Sequence, residues 1–299
     1  MIVNLPDTEQ LSSRYRGLDD WAPAAVLSAM WESQLAAVAA VQPALPQIEA
    51  AAGACVARLR TSGRLVYVGA GTSGRIGAQD GAELPPTFNW PRSRLVLLIA
   101  GGDGALTQAV EGAEDDAAAG TLGIVTHGIG EDDVVIGIAA SGSTPFTLAC
   151  LRAAKAAGAC TIAVANSRDG TILAAADYPI LVETGAEVIA GSTRMKAGTA
   201  QKVVLNLLSS LVMVRLGHVY DGLMVDMVAS NEKLRRRAER MLGDITGADP
   251  DAIRAALAAT GGKVKPAALV IRGLSAEAAE AVLGRHGGSL RAALASLPA

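Results

Sequence analysis

Five short apolar runs constrain this chain more than any other feature. Each is closed by glycine or a hydroxyl residue and followed by an alanine-rich helical stretch. They are Leu65–Val68, Leu95–Ile99, Val134–Ala139, Cys160–Ala165 and Tyr178–Val182. Runs this short and alternating with helices read as strands of a parallel sheet covered on both faces. The expected fold is α/β: a doubly wound parallel sheet in a sandwich of helices. Ligands of such folds sit beyond the C-terminal strand ends.

Residues 1–20 are polar and irregular. Helical spacing from Ala22 to Arg60, interrupted at Pro43 and Pro46, predicts two helices. A long buried helix is expected from near Ser192 to about Arg215, then a less regular helical stretch over Val219 to Arg240. From Leu242 onward, Asp249-Pro250-Asp251, Gly261-Gly262 and Ser275-Ala276-Glu277 punctuate a small bundle. The expected organisation is an N-terminal helical segment over 1–60, the α/β domain over 61–240 and a C-terminal helical bundle over 241–299.

The 299 residues are 51% hydrophobic, enough for a sizeable core, and the net charge is −3. The one dense basic run, Lys233-Leu234-Arg235-Arg236-Arg237, reads as a solvated helix face, so no nucleic acid is expected as a partner. The apolar stretch from Val203 to Leu216 is short for a bilayer and carries Asn206, Ser209 and Arg215, so no membrane is expected either. Cys55, Cys150 and Cys160 have no metal-like spacing and no framework, which suggests free thiols in a reducing compartment. The N-terminus lacks the basic and apolar regions of a signal peptide. A cytoplasmic location is expected.

The first run ends in Gly69-Ala70-Gly71-Thr72-Ser73-Gly74-Arg75. Glycines let a ligand approach the backbone, a helix opening at Gly74 offers free amides to an anion, and Thr72 and Ser73 add hydroxyls. The Gly-x-Gly-x-x-Gly spacing also matches a dinucleotide fingerprint. That reading wants an acid at the end of the second strand, where Ile99-Ala100-Gly101-Gly102 has none, so a single sugar phosphate fits better. The third run ends in a second hydroxyl loop, Ser141-Gly142-Ser143-Thr144-Pro145. Two such turns after parallel strands can converge on one phosphate; the plainer alternative is helix capping by Ser and Thr. Arg194 and Lys196 lie in the first turns of the long helix, where cations are unfavourable, with Ser192 as its cap. They suggest a bound anion or a partner chain, or else salt bridges to Glu183 or Glu187.

The two loops resemble the sugar isomerase (SIS) domain. Asp80-Gly81-Ala82-Glu83-Leu84-Pro85-Pro86-Thr87, Val110-Glu111-Gly112-Ala113-Glu114-Asp115 and the long string from Gly185 to Lys202 resemble the N-acetylmuramic acid 6-phosphate etherase family. The glucokinase regulatory protein shares much of that string. The resemblance covers about residues 50 to 290, including Asn231-Glu232-Lys233 and His286-Gly287-Gly288. It implies a carbon–oxygen lyase acting on a small-molecule sugar phosphate, and a homodimer whose site draws on both chains.

The reaction so implied removes the C2 proton of the ring-opened sugar, expels lactate from C3 and returns water to C3. Two carboxyl groups suffice, with no metal or redox cofactor. Glu83, between Ala82 and Leu84, is expected to be desolvated and held protonated, so it is assigned as the acid for lactate departure. Glu111 and Glu114 are three apart on an expected helix, hence on one face. The resemblance implies that Glu114 is the other acid/base residue, assigned as the base at C2, and that Glu111 touches the sugar; the reverse pairing of Glu83 and Glu114 stays open. It also implies a sugar-phosphate contact from Lys265. The expected binding set is Gly71, Thr72, Ser73, Glu111, Ser141, Ser143, Thr144, Ser192, Arg194 and Lys265. His127, His218 and His286 show no paired spacing, and His286 reads as a helix C-terminal residue.

The chain departs from the family pattern at Ser143, where an arginine is usual, at Ala165-Asn166-Ser167 for Cys-Asn-Pro, and at Gly81-Ala82 for Ala-Ser. These changes bear on substrate preference. Two other readings share the scaffold: a sugar-phosphate isomerase, and a non-catalytic sugar-phosphate sensor. Retention of Glu83 and Glu114 favours the enzyme.

Overall fold

The computed structural model describes residues 6–227 and 231–298. The chain divides into two compact units, one of Met1–Gly81 and Ser93–Ser209, the other of Ala82–Arg92 and Ser210–Ala299.

In the first unit, α1 (Pro23–Ala39) and α2 (Leu45–Leu59) precede an alternating series. The series runs β1 (Leu65–Gly69), α3 (Gly71–Phe88), β2 (Leu95–Ile99), α4 (Ala117–Thr126), β3 (Val134–Ala139), α5 (Pro145–Ala156), β4 (Cys160–Ala165), α6 (Thr171–Ala175), β5 (Tyr178–Leu181) and α7 (Lys196–Arg215). Helices α3 and α7 both continue into the second unit. The five strands pair in parallel in the order β2-β1-β3-β4-β5. This is the doubly wound sheet expected from the five apolar runs.

Every residue of β1, β3 and β4 is buried, whereas the edge strands β2 and β5 are only partly so. On one face Val66, Val68, Val135 and Ala163 pack with Ile124 of α4, Phe146 and Leu151 of α5 and Ile172 of α6. On the other, Tyr67, Leu97 and Ile138 meet α3 at Gly77 and Gly81. Burying apolar side chains on both faces is the dominant favourable term, at about 25 cal/mol per Å². Helix α7 has the length and apolar composition to cross a membrane, more than the apolar run alone suggested, as does the stretch Pro23–Leu59. In the fold α7 is a core helix: Ala197, Ala200, Val204, Leu205, Leu208 and Val212 are all buried.

The N-terminal end of the sheet is closed by arginines. Arg64 clamps Asp133 with Nε to Oδ1 at 3.0 Å and Nη2 to Oδ2 at 2.7 Å, and the amides of Arg64 and Gly130 donate to the same carboxylate. Arg94 donates to the carbonyls of Gly63 and Leu59. These bonds tie together the segments leading into β1, β2 and β3.

In the second unit a hairpin of β6 (Val219–Tyr220) and β7 (Leu223–Met224) leads to α8 (Glu232–Thr246), α9 (Pro250–Ala259), α10 (Val264–Ile271), α11 (Ala276–Arg285) and α12 (Leu290–Ala295). Part of the stretch expected to be helical over Val219 to Arg240 is therefore a hairpin, and residues 228–230 lie outside the described residues. The turn residues Asp221 and Gly222 both have positive φ, 48° and 77°, as a tight two-residue hairpin loop requires. Helix α8 shares one core with the helices after it, through Ala238, Leu242, Ile253, Leu269 and Leu283. The helical unit thus includes residues that the sequence reading grouped with the α/β domain. Side chains of Asn231, Asp249, Ser275 and Ser289 cap α8, α9, α11 and α12.

Burial alone would push the Asp133 carboxyl up, but the bonds from Arg64 and from the two amides hold it below its ordinary value. A depressed carboxyl adds stability above its unfolded pKa and loses it as pH falls through the folded one. Asp133→Asn should lower stability at pH 7 by about 3 kcal/mol. The gap to wild type should shrink as the medium is acidified below the carboxylate range, as urea unfolding at a series of pH values would measure.

Candidate active site

Strand order 2-1-3-4-5 means that the chain leaves β1 in one direction and β3 in the other. The crevice between their C-terminal ends is the topological switch point, where ligands of such sheets bind. Gly69 is in register with Ile138, so the Thr72-Ser73 turn and the Ser141–Thr144 loop leave neighbouring strand ends.

Helix α3 starts at Gly71, three residues earlier than the sequence suggested. The Ala70 carbonyl already accepts the Gly74 amide at 3.1 Å. The amides of Gly71, Thr72 and Ser73 thus have no acceptor within the helix. Ala70 has no side-chain oxygen to cap them. Gly74 serves a different purpose: a Cβ there would lie 2.8 Å from the Gly69 carbonyl oxygen, and a Cβ on Gly69 2.8 Å from the Gly74 amide nitrogen. Backbone meets backbone, so the first turn of α3 lies directly on the end of β1.

In the second loop the Ser143 amide donates to Ser141 Oγ at 3.3 Å. Thr144 stands at the N-cap of α5 but makes no side-chain cap bond. Capping by Thr144 therefore does not account for this loop. Behind it the Asn166 amide nitrogen Nδ2 donates to Val182 O, and Gln201 Nε2 donates to Asn166 Oδ1, so two side-chain amides link β4, the end of β5 and α7.

Helix α7 begins at Lys196, after a run of turns that includes Ser192 and Arg194. Ser192 is half-buried and Arg194 exposed. The helix is capped by neither: the buried carboxylate of Glu187 accepts from the amides of Lys196 at 2.9 Å and Ala197 at 3.0 Å. Burial pushes the Glu187 carboxyl up against the lowering effect of those amides and of the Lys196 ammonium. Glu183 is taken by Arg168, through two bonds of 3.0 and 2.7 Å.

Glu111 and Glu114 do not share a helix face. Gly112, at φ +70°, breaks the backbone between them; Glu111 sits in a turn, and Glu114 in a short 3-10 turn over Ala113–Asp115. Helix α4 starts only after Asp116, which caps it. Both glutamates are exposed, and Glu111 lines a cavity of about 770 Å³ with Asp103, Asp116, His127 and Phe146.

Glu83 and Lys265 belong to the second unit. Glu83 lies in the helical part of α3 and is exposed, so its apolar neighbours Ala82 and Leu84 do not desolvate it as expected. Lys265 is buried. Its ammonium donates to Gly288 O at 2.8 Å and pairs with Asp226, whose Oδ2 is also 2.8 Å from His218 Nδ1. The edges of Phe88 and Trp90 approach the His218 ring. Lys265 is thus engaged within its own unit, beside a cavity of about 500 Å³. His286 closes α11 at its C-terminus.

One residue with no expected role proves central. Asp80 is buried and accepts from Tyr67 OH at 2.7 Å, Asn206 Nδ2 at 2.6 Å and Ser209 Oγ at 3.2 Å. The Tyr67 phenol is pushed well above its ordinary range by burial and by this charge. A lone aspartate among glycine and alanine on an otherwise apolar-facing helix was the available signal. Burial also pushes up the thiols of Cys55, Cys150 and Cys160, which are all unpaired.

A parallel sheet of this order is shared by several doubly wound folds, and two family models single out the sugar isomerase class among them. The family model described as SIS domain matches residues 117–211, and that of the glucokinase regulatory protein N-terminal SIS domain matches 47–155. A crystal structure from Bacteroides fragilis, assigned as a phosphosugar isomerase involved in capsule formation, shares the fold with a TM-score of 0.50. It is 21% identical and covers 66% of this chain and 94% of that one. Curated relatives narrow the class, and the chain belongs to the N-acetylmuramic acid 6-phosphate etherase family. It is 54% identical over 288 residues to the etherase of Deinococcus radiodurans, covering 96% of this chain and 94% of the relative. The etherase of Mycolicibacterium smegmatis is 44% identical over 295 residues, with 98% and 99% covered.

A carboxyl raised in the fold favours the protonated state, so stability falls as pH rises from the unfolded pKa through the folded one. Glu187→Gln has no such group. Its stability relative to wild type should therefore improve as pH is raised from 4 to 7. A difference that stays flat across chemical denaturation at those pH values would show that Glu187 is not strained by burial.

Proposed function

We propose that this chain cleaves the D-lactyl ether of N-acetylmuramic acid 6-phosphate, giving N-acetylglucosamine 6-phosphate and D-lactate. The observation that carries this reading is the 54% identity to an etherase along nearly the whole chain. The free amides at the start of α3 and the hydroxyls of Thr72, Ser73, Ser141, Ser143 and Thr144 support a phosphate site at the switch point. Ser143 is neutral, which leaves the anion's charge to the α3 amides.

In this reading a base takes the C2 proton of the open-chain aldehyde and the electron pair forms the C2–C3 double bond. The C3–O bond breaks as that double bond forms, and an acid protonates the departing lactate oxygen. Water adds back, its oxygen to C3 and a proton to C2. We assign Glu114 as the base and Glu83 as the acid, with Glu111 on the sugar. Proton transfer by a placed carboxyl contributes about 10²–10⁴-fold.

We further propose that the partner is a second copy of the chain. Leu27, Trp31, Leu35 and Val38 are all exposed and fall on one face of α1. The reaction is placed in the cytoplasm, where buried free thiols stay reduced.

Purified protein in 18O-labelled water should release D-lactate and place one 18O at C3 of the sugar. Glu83→Gln and Glu114→Gln should each slow lactate release by at least about 10²-fold. Release at the normal rate from Glu83→Gln would remove it as the acid. Full-rate exchange of the C2 proton in Glu114→Gln would remove it as the base. A folded wild type that releases no lactate would point instead to a sugar-phosphate sensor. For the dimer, Trp31→Asp should convert the particle to a monomer in sedimentation, and an unchanged sedimentation coefficient would exclude this face.

A further inference from the structure

The segment carrying Glu111 and Glu114 has almost no core of its own. After β2 the chain leaves the sheet at Gly101 and returns at Val110. Gly101 has φ +86°, and a Cβ on it would lie 2.8 Å from Val110 Cβ, so the loop is pinched shut at its base. Between these ends only Ala105 is buried. A loop so short of apolar contacts has little free energy holding it in one conformation.

Arg75 grips it from outside. Its Nε donates to Ala105 O at 3.0 Å and its Nη2 to Gln108 O at 3.2 Å. The planar guanidinium is suited to two carbonyls at once, which a lysine ammonium on its flexible stem does not match. Arg75 lies one turn into α3. The helix whose first turn presents free amides at the switch point thus also holds the loop that leads, one and four residues past Val110, to the two glutamates.

We propose that Arg75 is the positioning residue that fixes the Glu111 and Glu114 carboxylates relative to the anion-binding end of α3. This rests on the reading that those carboxylates act on the substrate. Arg75 touches backbone carbonyls rather than reacting atoms, so its loss acts on geometry. Misplacing a catalytic group by about 1 Å costs on the order of 10²-fold in rate.

The test compares Arg75→Ala, Arg75→Lys, Glu114→Gln and the Arg75→Ala/Glu114→Gln double variant for lactate release, with backbone hydrogen exchange on wild type and Arg75→Ala. Arg94→Ala serves as a control, since Arg94 also donates to carbonyls but at the opposite end of the sheet. Arg75→Ala should lower kcat by about 10²-fold with KM within about threefold. Arg75→Lys should fall between it and wild type. Amides over 102–116 should exchange faster in Arg75→Ala while those of β1 and β3 do not. Added to Glu114→Gln, Arg75→Ala should cost far less than it does alone, because the two act as a unit. Arg94→Ala should lower Tm and keep kcat. Unchanged exchange over 102–116 overturns the proposal, as does a loss confined to KM or an additive double variant. Glu114→Gln at full rate would instead sink the carboxylate reading on which the proposal stands, whatever the exchange shows.

Discussion

Asp80 is a carboxylate buried among neutral donors, and the seating of α3 depends on it. A buried charge is tolerated only when its oxygens are satisfied. Here a phenol from β1, an amide and a hydroxyl from α7 converge on it. No one of these elements can shift without stripping a donor from the charge. The constraint reaches the first turn of α3, which lies on Gly69. A packed apolar interface would tolerate small slides of one helix on another. Three bonds to one carboxylate give α3 a discrete register, and the amides at its start inherit it.

The sheet is chemically different at its two ends. At the N-terminal ends of the strands, Arg64 and Arg94 spend their donors on Asp133 and on backbone carbonyls, which closes that side. At the C-terminal ends, the first amides of α3 have no acceptor within the helix and Thr144 makes no cap bond to α5. Helix α7 shows the contrast in miniature: its N-terminus faces the same side of the sheet, but the protein's own Glu187 occupies it. The first amides of α3 are open, whereas those of α7 are filled.

The sheet was legible because burial on both faces writes an unbroken apolar run, a signal carried within five or six residues. The hydroxyl turns were legible because they follow those runs directly. Errors arose where long-range contacts or single backbone angles decide. Gly112 in a left-handed conformation separates Glu111 from Glu114, and nothing in the acidic pattern around it announces that. Glu83 has apolar neighbours in sequence, yet on a helix those neighbours point elsewhere and the carboxylate stays exposed. Asp221-Gly222 is a recognisable hairpin signal, but strands of two residues leave too little alternation to compete with a helical reading. Glu187, Asp80 and Arg75 owe their roles to partners 9 to 129 residues away in sequence, through bonds that spacing alone does not encode.

The second unit borrows Ala82–Arg92 from early in the chain and takes everything else from Ser210 onward. Synthesis runs from the N-terminus, and domains fold as their residues emerge. The five strands of the sheet and helices α1 to α6 are all present once Ser209 has left the ribosome. Trp90, whose ring meets the edge of His218, must wait more than a hundred residues for that neighbour. During that interval Phe88 and Trp90 lack the imidazole ring they later meet. A nascent chain stalled in that window would keep those two aromatic rings from that contact for as long as translation is paused.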